Sequence, residues 1–325
     1  MRYASSSVVV VGSIFLDYKC FRNESPGIAV DKTRVSHGGV ARNIAENLGW
    51  LGVNVELIAL SEATVTADLI AKRLRRAGVK LKVRNVAGGI GNFIATLDES
   101  GALVASTAVL PPFELLSWNF LNQHRNSLAH AKYIVVETGL PVDLLKRVFA
   151  EASRNNVPVC GVPTRLDQIS LREQRAELIG LLDCLVLNNR EAAMMLDEPV
   201  DNDADAFHAA EQLQREGARA VVITLGARGV VAVNGKTAPR LHPAPPARVL
   251  DTTGAGDAFV AGLIGGLAVG RSFADGISCG LTMAHRTVET LDTVKDEPSH
   301  ILGGETQVRA IRSSQSSTEQ KRQYA

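Results

Sequence analysis

"DTTGAGDAFVAGLIGGLAVG", residues Asp251 to Gly270, joins a stretch with almost no side-chain bulk to a long apolar run. Gly254 and Gly256 lack a Cβ, so the peptide N–H groups around them can turn toward one point and let a bulky anion come close. Ala255 is nearly as small. If the following run is a helix, its positive dipole end faces the same point, and the loop becomes a cup for a transferring phosphoryl group. Asp257 then falls in the first turn, where a carboxylate can take the proton of an attacking hydroxyl while the surrounding donors hold the anion. Asp251 lies upstream of that reaction; its oxygens, with Thr253 and nearby carbonyls, suit a monovalent cation or hydrogen bonds that shape the loop. A bland reading stands beside this one. Gly-rich strand-to-helix turns are common, an acid there can serve as a simple dipole partner, and Gly262, Gly265 and Gly266 can serve only close helix packing.

Outward from this stretch the chain alternates short apolar, mostly β-branched runs with segments of helical period. Val8 to Ser13, Val55 to Leu60, Tyr133 to Val136, Val157 to Val162, Cys184 to Leu187 and Ala220 to Thr224 read as strands. Helices are expected near Val40 to Leu51, Ala67 to Ala77, Leu140 to Asn155, Arg190 to Leu196, Asp203 to Glu216 and Ala255 to Val269. That order predicts an α/β fold with a mostly parallel sheet covered by helices on both faces. Gly78 and Asn156 stand where a left-handed residue ends a helix. Two stretches break the rhythm. Phe21 to His37 has no helical period, and "IATLDESGALVAS" (Ile94 to Ser106) alternates around a hairpin turn at Glu99 to Gly101, so together they predict a small β-layer projecting from the sheet. From about Gly303 to Ala325 the chain is polar and predicts a mobile tail.

The totals narrow the function classes. With 325 residues, 46% of them apolar, the chain can bury a large core. Lys and Arg number 35 against 34 Asp and Glu, a net charge of +1, so no global field favours nucleic acid or an anionic membrane, and a small-molecule partner fits better. Cys20, Cys160, Cys184 and Cys279 form no C-x-x-C pair and read as reduced thiols. "VVVVGSIFL" (Val8 to Leu16) has only Arg2 before it, Asp17 straight after it and no cleavage pattern, no apolar run approaches the ~20 residues of a membrane span, and the expected compartment is the cytoplasm.

Three further segments carry candidate chemistry. In "GGVARNIAENLGWLG" (Gly38 to Gly52), Gly38 and Gly39 let a ligand approach the backbone, and Asn43 can donate to and accept from a polyol or act as a packing amide. Asp17 is expected to end the first strand, at a carboxyl edge where ligands of open sheets sit. "NNREA" places Asn188 and Glu191 at a spacing suited to Mg²⁺ held through water beside phosphates, and equally to an ordinary helix cap. In "TLGARG", Thr224, Gly226 and Gly229 suit nucleotide phosphates, with Arg228 as added charge.

In these segments together the chain resembles the ribokinase-like (PfkB) sugar and nucleoside kinases, whose C-terminal signature "DTTGAGDAF" it matches without a gap; the likeness spans roughly Val8 to Leu302. The resemblance implies a three-layer kinase domain over residues 1–302 with β-lid segments near 14–37 and 88–110. It implies ATP with Mg²⁺, Asp257 as catalytic base, and the Gly254, Ala255 and Gly256 amides as anion hole. Asp17, Gly38, Gly39 and Asn43 become sugar contacts, Asn188, Thr224, Gly226 and Gly229 nucleotide contacts, and Glu191 a water-mediated Mg²⁺ partner. Asp251 and Thr253 become a site for K⁺, and lids of this family often pair two copies into a homodimer. "SPG" (Ser25 to Gly27), "HGGVARNIAENLGWLG" and "LAHAKYIVVE" are similar to the pseudouridine kinases, which implies phosphorylation of pseudouridine at its 5′ oxygen. Other nucleosides, ribose or fructose are the alternatives within the class, and a non-catalytic nucleotide sensor is the alternative outside it. Phe15 stands where many relatives carry Asn, "GVP" (Gly161 to Pro163) where Asp-Pro is frequent, and "SEATVT" (Ser61 to Thr66) lacks the usual Gly and Asp; these departures touch specificity and not the anion cup.

Overall fold

Val8 to Val11 is buried on both faces, and alternate residues enter different cores. Val9 and Val11 pack with Ile134, Leu145 and Phe149, while Val8 and Val10 pack with Ile44, Leu48, Phe259 and Leu263. A strand without a polar face has to lie inside a sheet covered on both sides, and the computed structural model places it there. The structure describes residues 7–22, 30–98, 103–164, 175–297 and 299–302. The hairpin turn expected at Glu99 to Gly101, the "SPG" segment and the polar C-terminal stretch lie outside these residues.

The large sheet contains β1 (Ser7–Gly12), β4 (Asn54–Ser61), β5 (Lys80–Asn85), β8 (Tyr133–Glu137), β9 (Val159–Val162), β10 (Cys184–Asn188), β11 (Ala220–Thr224), β12 (Val230–Asn234) and β13 (Arg240–His242). Its order is β13-β12-β11-β10-β9-β8-β1-β4-β5. The strands from β11 to β5 pair in parallel, and β12 and β13 close one side antiparallel. The helices that connect or cover it include α1 (Val40–Trp50), α2 (Val65–Arg76), α3 (Trp118–Asn122), α4 (Arg125–Ala129), α5 (Val142–Arg154), α6 (Arg175–Ile179), α7 (Asn189–Leu196), α8 (Asp203–Arg215), α9 (Ala255–Ala268) and α10 (Phe273–Val288). A second sheet of β2 (Phe15–Arg22), β3 (Val30–Gly38), β6 (Gly91–Leu97) and β7 (Leu103–Val109) has the order β3-β2-β6-β7. Asn156, with φ of 54°, and Gly78, with φ of 90°, take the left-handed conformation expected at those helix ends.

Two expectations change. The first strand ends at Gly12, and Asp17 belongs to β2 of the small sheet, because the chain breaks at Ser13 and Ile14 and resumes pairing with Gly91 and its neighbours in β6. The long helix α10 follows α9 directly. The two pack closely because their contact is built of small residues: a Cβ at Gly262 would stand 2.5 Å from the Cys279 carbonyl oxygen, and one at Gly280 2.8 Å from the Phe259 ring. The packing role of Gly262 is therefore real.

Candidate active site

Where the carboxyl ends of β1 and β8, the start of α1, the start of α9 and one face of the small sheet converge, they enclose a cavity of about 300 Å³. Asp17, Gly39, Asn43, Glu137, Gly254 and Asp257 supply much of its polar wall, and Phe15, Phe93, Leu110 and Phe113 supply an apolar one. Position at the carboxyl edge follows from the parallel sheet, since all the strand-to-helix turns open on that side.

The head of α9 is a glycine turn. Gly254 is left-handed with φ of 83°, and no side chain caps the helix, so its first-turn amides lack an intrahelical acceptor. A Cβ at Gly254 would lie 2.2 Å from the Thr293 carbonyl oxygen, whereas one at Gly256 would meet nothing within 4 Å. The loop is thus pinned from behind and open in front. Of the amides expected in the cup, that of Ala255 donates to the Thr252 carbonyl at 3.2 Å, which leaves those of Gly254 and Gly256, with that of Asp257 next to them, as the freer donors at the helix start.

Asp257 accepts a hydrogen bond from Asn43 Nδ2 at 2.6 Å. Burial pushes its carboxyl up to about 7, the Asn43 bond works against that rise, and the nearby Glu137 charge adds to it. The orientation of the Asn43 amide is not arbitrary. Its Oδ1 accepts from the Arg42 guanidinium, a group with donors only, so the amide NH₂ must face Asp257. Arg42 is itself fully buried and also holds Glu46, the His37 carbonyl, and Thr293 Oγ1 at 2.8 Å. Glu46, equally buried, accepts from Arg73 Nε at 2.6 Å on α2. This network ties α1 to β3, to α2 and to the segment behind Gly254.

Asp17 is buried, and burial raises its pKa while Arg42 and Lys19 oppose the rise. Gly38 makes its position feasible, since a Cβ there would stand 2.1 Å from the Asp17 carboxylate. Glu137, at the end of β8, escaped the sequence reading. Its Oε1 accepts from Ser13 N at 2.8 Å, Ser13 Oγ at 2.7 Å and Ala41 N at 2.8 Å, so it caps α1 from across the sheet; burial still holds its pKa above the usual value. The available signal was a lone carboxylate after the apolar run of β8, at the sheet's carboxyl edge.

Asn188 and Thr224 are in register at the ends of β10 and β11, followed by the left-handed Gly226 and Gly229 with φ of 61° and 104°. Asn188 and Glu191 form a reciprocal capping box at the start of α7, with 2.8 Å in each direction. Burial pushes Glu191 up to about 7. Arg228 points elsewhere: it pairs with Asp203 at 2.6 Å and does not add free charge to this turn. Asp251 and Thr253, the expected cation site, hold the Lys19 ammonium.

A buried acid oriented by an amide, at the open head of a helix and facing a polar-and-aromatic cavity, defines the equipment of a phosphotransferase acting on a hydroxyl. The chain belongs to the pfkB family of carbohydrate kinases, whose family model matches residues 5–299, and it is an ATP-using kinase of a sugar or nucleoside. It is 26% identical over 299 residues to a guanosine-inosine kinase of Exiguobacterium acetylicum, covering 88% of this chain and 96% of that protein. It is 25% identical over 279 residues to a pseudouridine kinase of Escherichia coli, covering 83% and 86%. Among solved structures, a ribokinase of Arabidopsis thaliana complexed with ribose and ATP superimposes with a TM-score of 0.78 at 21% identity, over 92% of this chain and 98% of that one. Among the described residues no helix is long and apolar enough to cross a membrane.

Proposed function

We propose that this kinase phosphorylates the 5′ hydroxymethyl oxygen of a nucleoside, with pseudouridine the acceptor favoured by its sequence segments. One observation carries the nucleoside reading. The wall contributed by the small sheet exposes large apolar side chains, Phe93 at 38% and Leu110 just beyond β7 at 37%, beside Phe15, whose ring lies over Gly91. A nucleobase offers a broad planar aromatic face to cover them, and the small C–H face of a free ribose covers far less.

In this reading Asp17, Gly39 and Asn43 hold the ribose, and Asp257 takes the proton of the 5′ hydroxyl. The oxygen forms a bond to the γ-phosphorus as the bond to the bridging oxygen breaks, and ADP leaves with that electron pair. The amides of Gly256 and Asp257 hold the charge that spreads over the phosphoryl oxygens. Nucleotide phosphates lie along Asn188, Thr224, Gly226 and Gly229. The residues present suit Mg²⁺: Glu191 offers a carboxylate oxygen outside its capping bond, and no cluster of three or more acidic, His or Cys side chains forms a cage among the described residues, which matches an ion held mostly through water and phosphate. Bound there, Mg²⁺ would neutralise charge on the ATP phosphates.

A panel of pseudouridine, uridine, guanosine, inosine and ribose, followed by ADP release, tests the acceptor. Pseudouridine is expected to give the highest kcat/KM and ribose the lowest. Phe15→Ala should lower kcat/KM for the nucleoside about tenfold or more and leave that for ribose nearly unchanged. A preference for ribose in the unaltered protein would end the nucleoside reading, and a preference for guanosine or inosine would end the pseudouridine one.

The same assignment predicts an acid limb of activity. A general base works only when ionised, and burial pushes the Asp257 carboxyl up to about 7. At saturating ATP, kcat/KM for the acceptor should therefore be flat above that pH and fall about tenfold per pH unit well below it. A profile flat down to pH 5 would contradict the assignment.

A further inference from the structure

Phe15, Asp17 and Lys19 alternate along β2 and share one face of the small sheet. The first two line the cavity. The third extends past it to the loop that leads into α9, where its ammonium donates to Asp251 Oδ2 and, at 2.8 Å, to Thr253 Oγ1. Thr253 returns its own N–H at 2.9 Å and its hydroxyl at 2.7 Å to Asp251 Oδ1. Both side chains of the ion pair are largely shielded, each 17% exposed. Burial alone would raise the Asp251 pKa, yet Lys19 and Thr253 hold it below the usual carboxylate value.

These are the oxygens that suited a monovalent cation in the sequence, and they are in use. A cation placed on them would meet an ammonium whose own donors point at the same atoms. K⁺ therefore does not fit this site. The charge itself matters, because Asp251 leads within three residues to Gly254 at the head of α9. An uncompensated carboxylate in that loop would oppose the negative charge gathering at the helix start during transfer. We infer that Lys19 is a positioning residue that supplies this compensation from within the chain, so that the kinase turns over without K⁺. The inference rests on the phosphoryl-transfer reading of the site, and acceptor-dependent ADP release by the unaltered protein checks that reading separately.

The experiment compares the unaltered protein, Lys19→Met and Lys19→Arg in KCl, NH₄Cl, NaCl and tetramethylammonium chloride at equal ionic strength, with turnover and thermal midpoint both read. The unaltered protein and Lys19→Arg should show the same kcat in all four salts within about twofold. Lys19→Met should lose about tenfold or more in kcat in tetramethylammonium chloride, with K⁺ or NH₄⁺ restoring much of it and selectively raising its thermal midpoint. A requirement for K⁺ in the unaltered protein would overturn the inference, without needing any variant to fold. So would a Lys19→Met protein with full turnover in every salt, or one whose loss no small cation restores while its thermal midpoint stays at the original value.

Discussion

Asp257→Asn should reduce turnover about 10²–10⁴-fold while leaving ATP binding close to its original strength. The substitution preserves shape, and the remaining side-chain oxygen can still accept from Asn43 Nδ2, which now lies 2.6 Å from the carboxylate. What disappears is the ability to take a proton from the acceptor hydroxyl. The amides at the head of α9 and the turns after β10 and β11 proposed for the nucleotide are untouched, so the loss should fall on kcat and not on the affinity for ATP. Acceptor-dependent ADP release together with titration of ATP by fluorescence or calorimetry separates the two. Turnover near that of the unaltered protein would take Asp257 out of the proton-transfer step.

The second large effect is on stability. Arg42 and Glu46 are both fully buried, and Arg42 serves Glu46, the His37 and Gly38 carbonyls at the end of β3, Asn43 and Thr293 at once. Breaking a buried pair by removing one partner costs about 3–5 kcal/mol, because the other charge stays behind without its counterion. Arg42→Leu should approach the lower end of that range, since Arg73 still holds Glu46 from a position 20% exposed. Urea unfolding measures the change. The double variant Arg42→Leu/Glu46→Leu should regain part of the loss, because no stranded carboxylate remains. An Arg42→Leu protein within about 1 kcal/mol of the original would show that the network contributes little.

Many strand and helix positions in the parallel region were legible because strands such as Val8 to Val11 and Ala220 to Thr224 read as short apolar, mostly β-branched runs and the longer helices end beside Gly or Asn, whereas β12, β13 and the short α3, α4 and α6 were not read. β5 was harder. Its "KLKVRN" lies at the sheet edge, partly exposed, and its charged residues dilute the apolar signal. α10 was missed because the features that let it pack on α9, Gly276 and Gly280 among them, weaken both helix propensity and apolar period. At the site, the glycine turn and Asp257 announce themselves through local spacing. Glu137 and Lys19 do not: each is a charged residue with no local motif around it, and the partners stand 124 residues away at Ser13 and 232 away at Asp251. Only the sheet order brings them together. The amide direction of Asn43 was equally out of reach, since it depends on a guanidinium that the helix turns inward beside it.

The arrangement of the cavity has one more consequence. Phe15, Asp17, Gly39, Asn43, Phe93, Phe113, Glu137 and Thr164 all precede α6, whereas Thr253, Gly254 and Asp257 line the same cavity from the head of α9, and Asn188, Thr224, Gly226 and Gly229, the residues proposed for the nucleotide, also follow α6. Taste for one acceptor or another can thus drift in the first half of the chain while the acid and its glycine turn stay in the second. A recombination breakpoint between Thr164 and Arg175 would let descendants exchange the walls that sort acceptors and inherit the head of α9 unchanged.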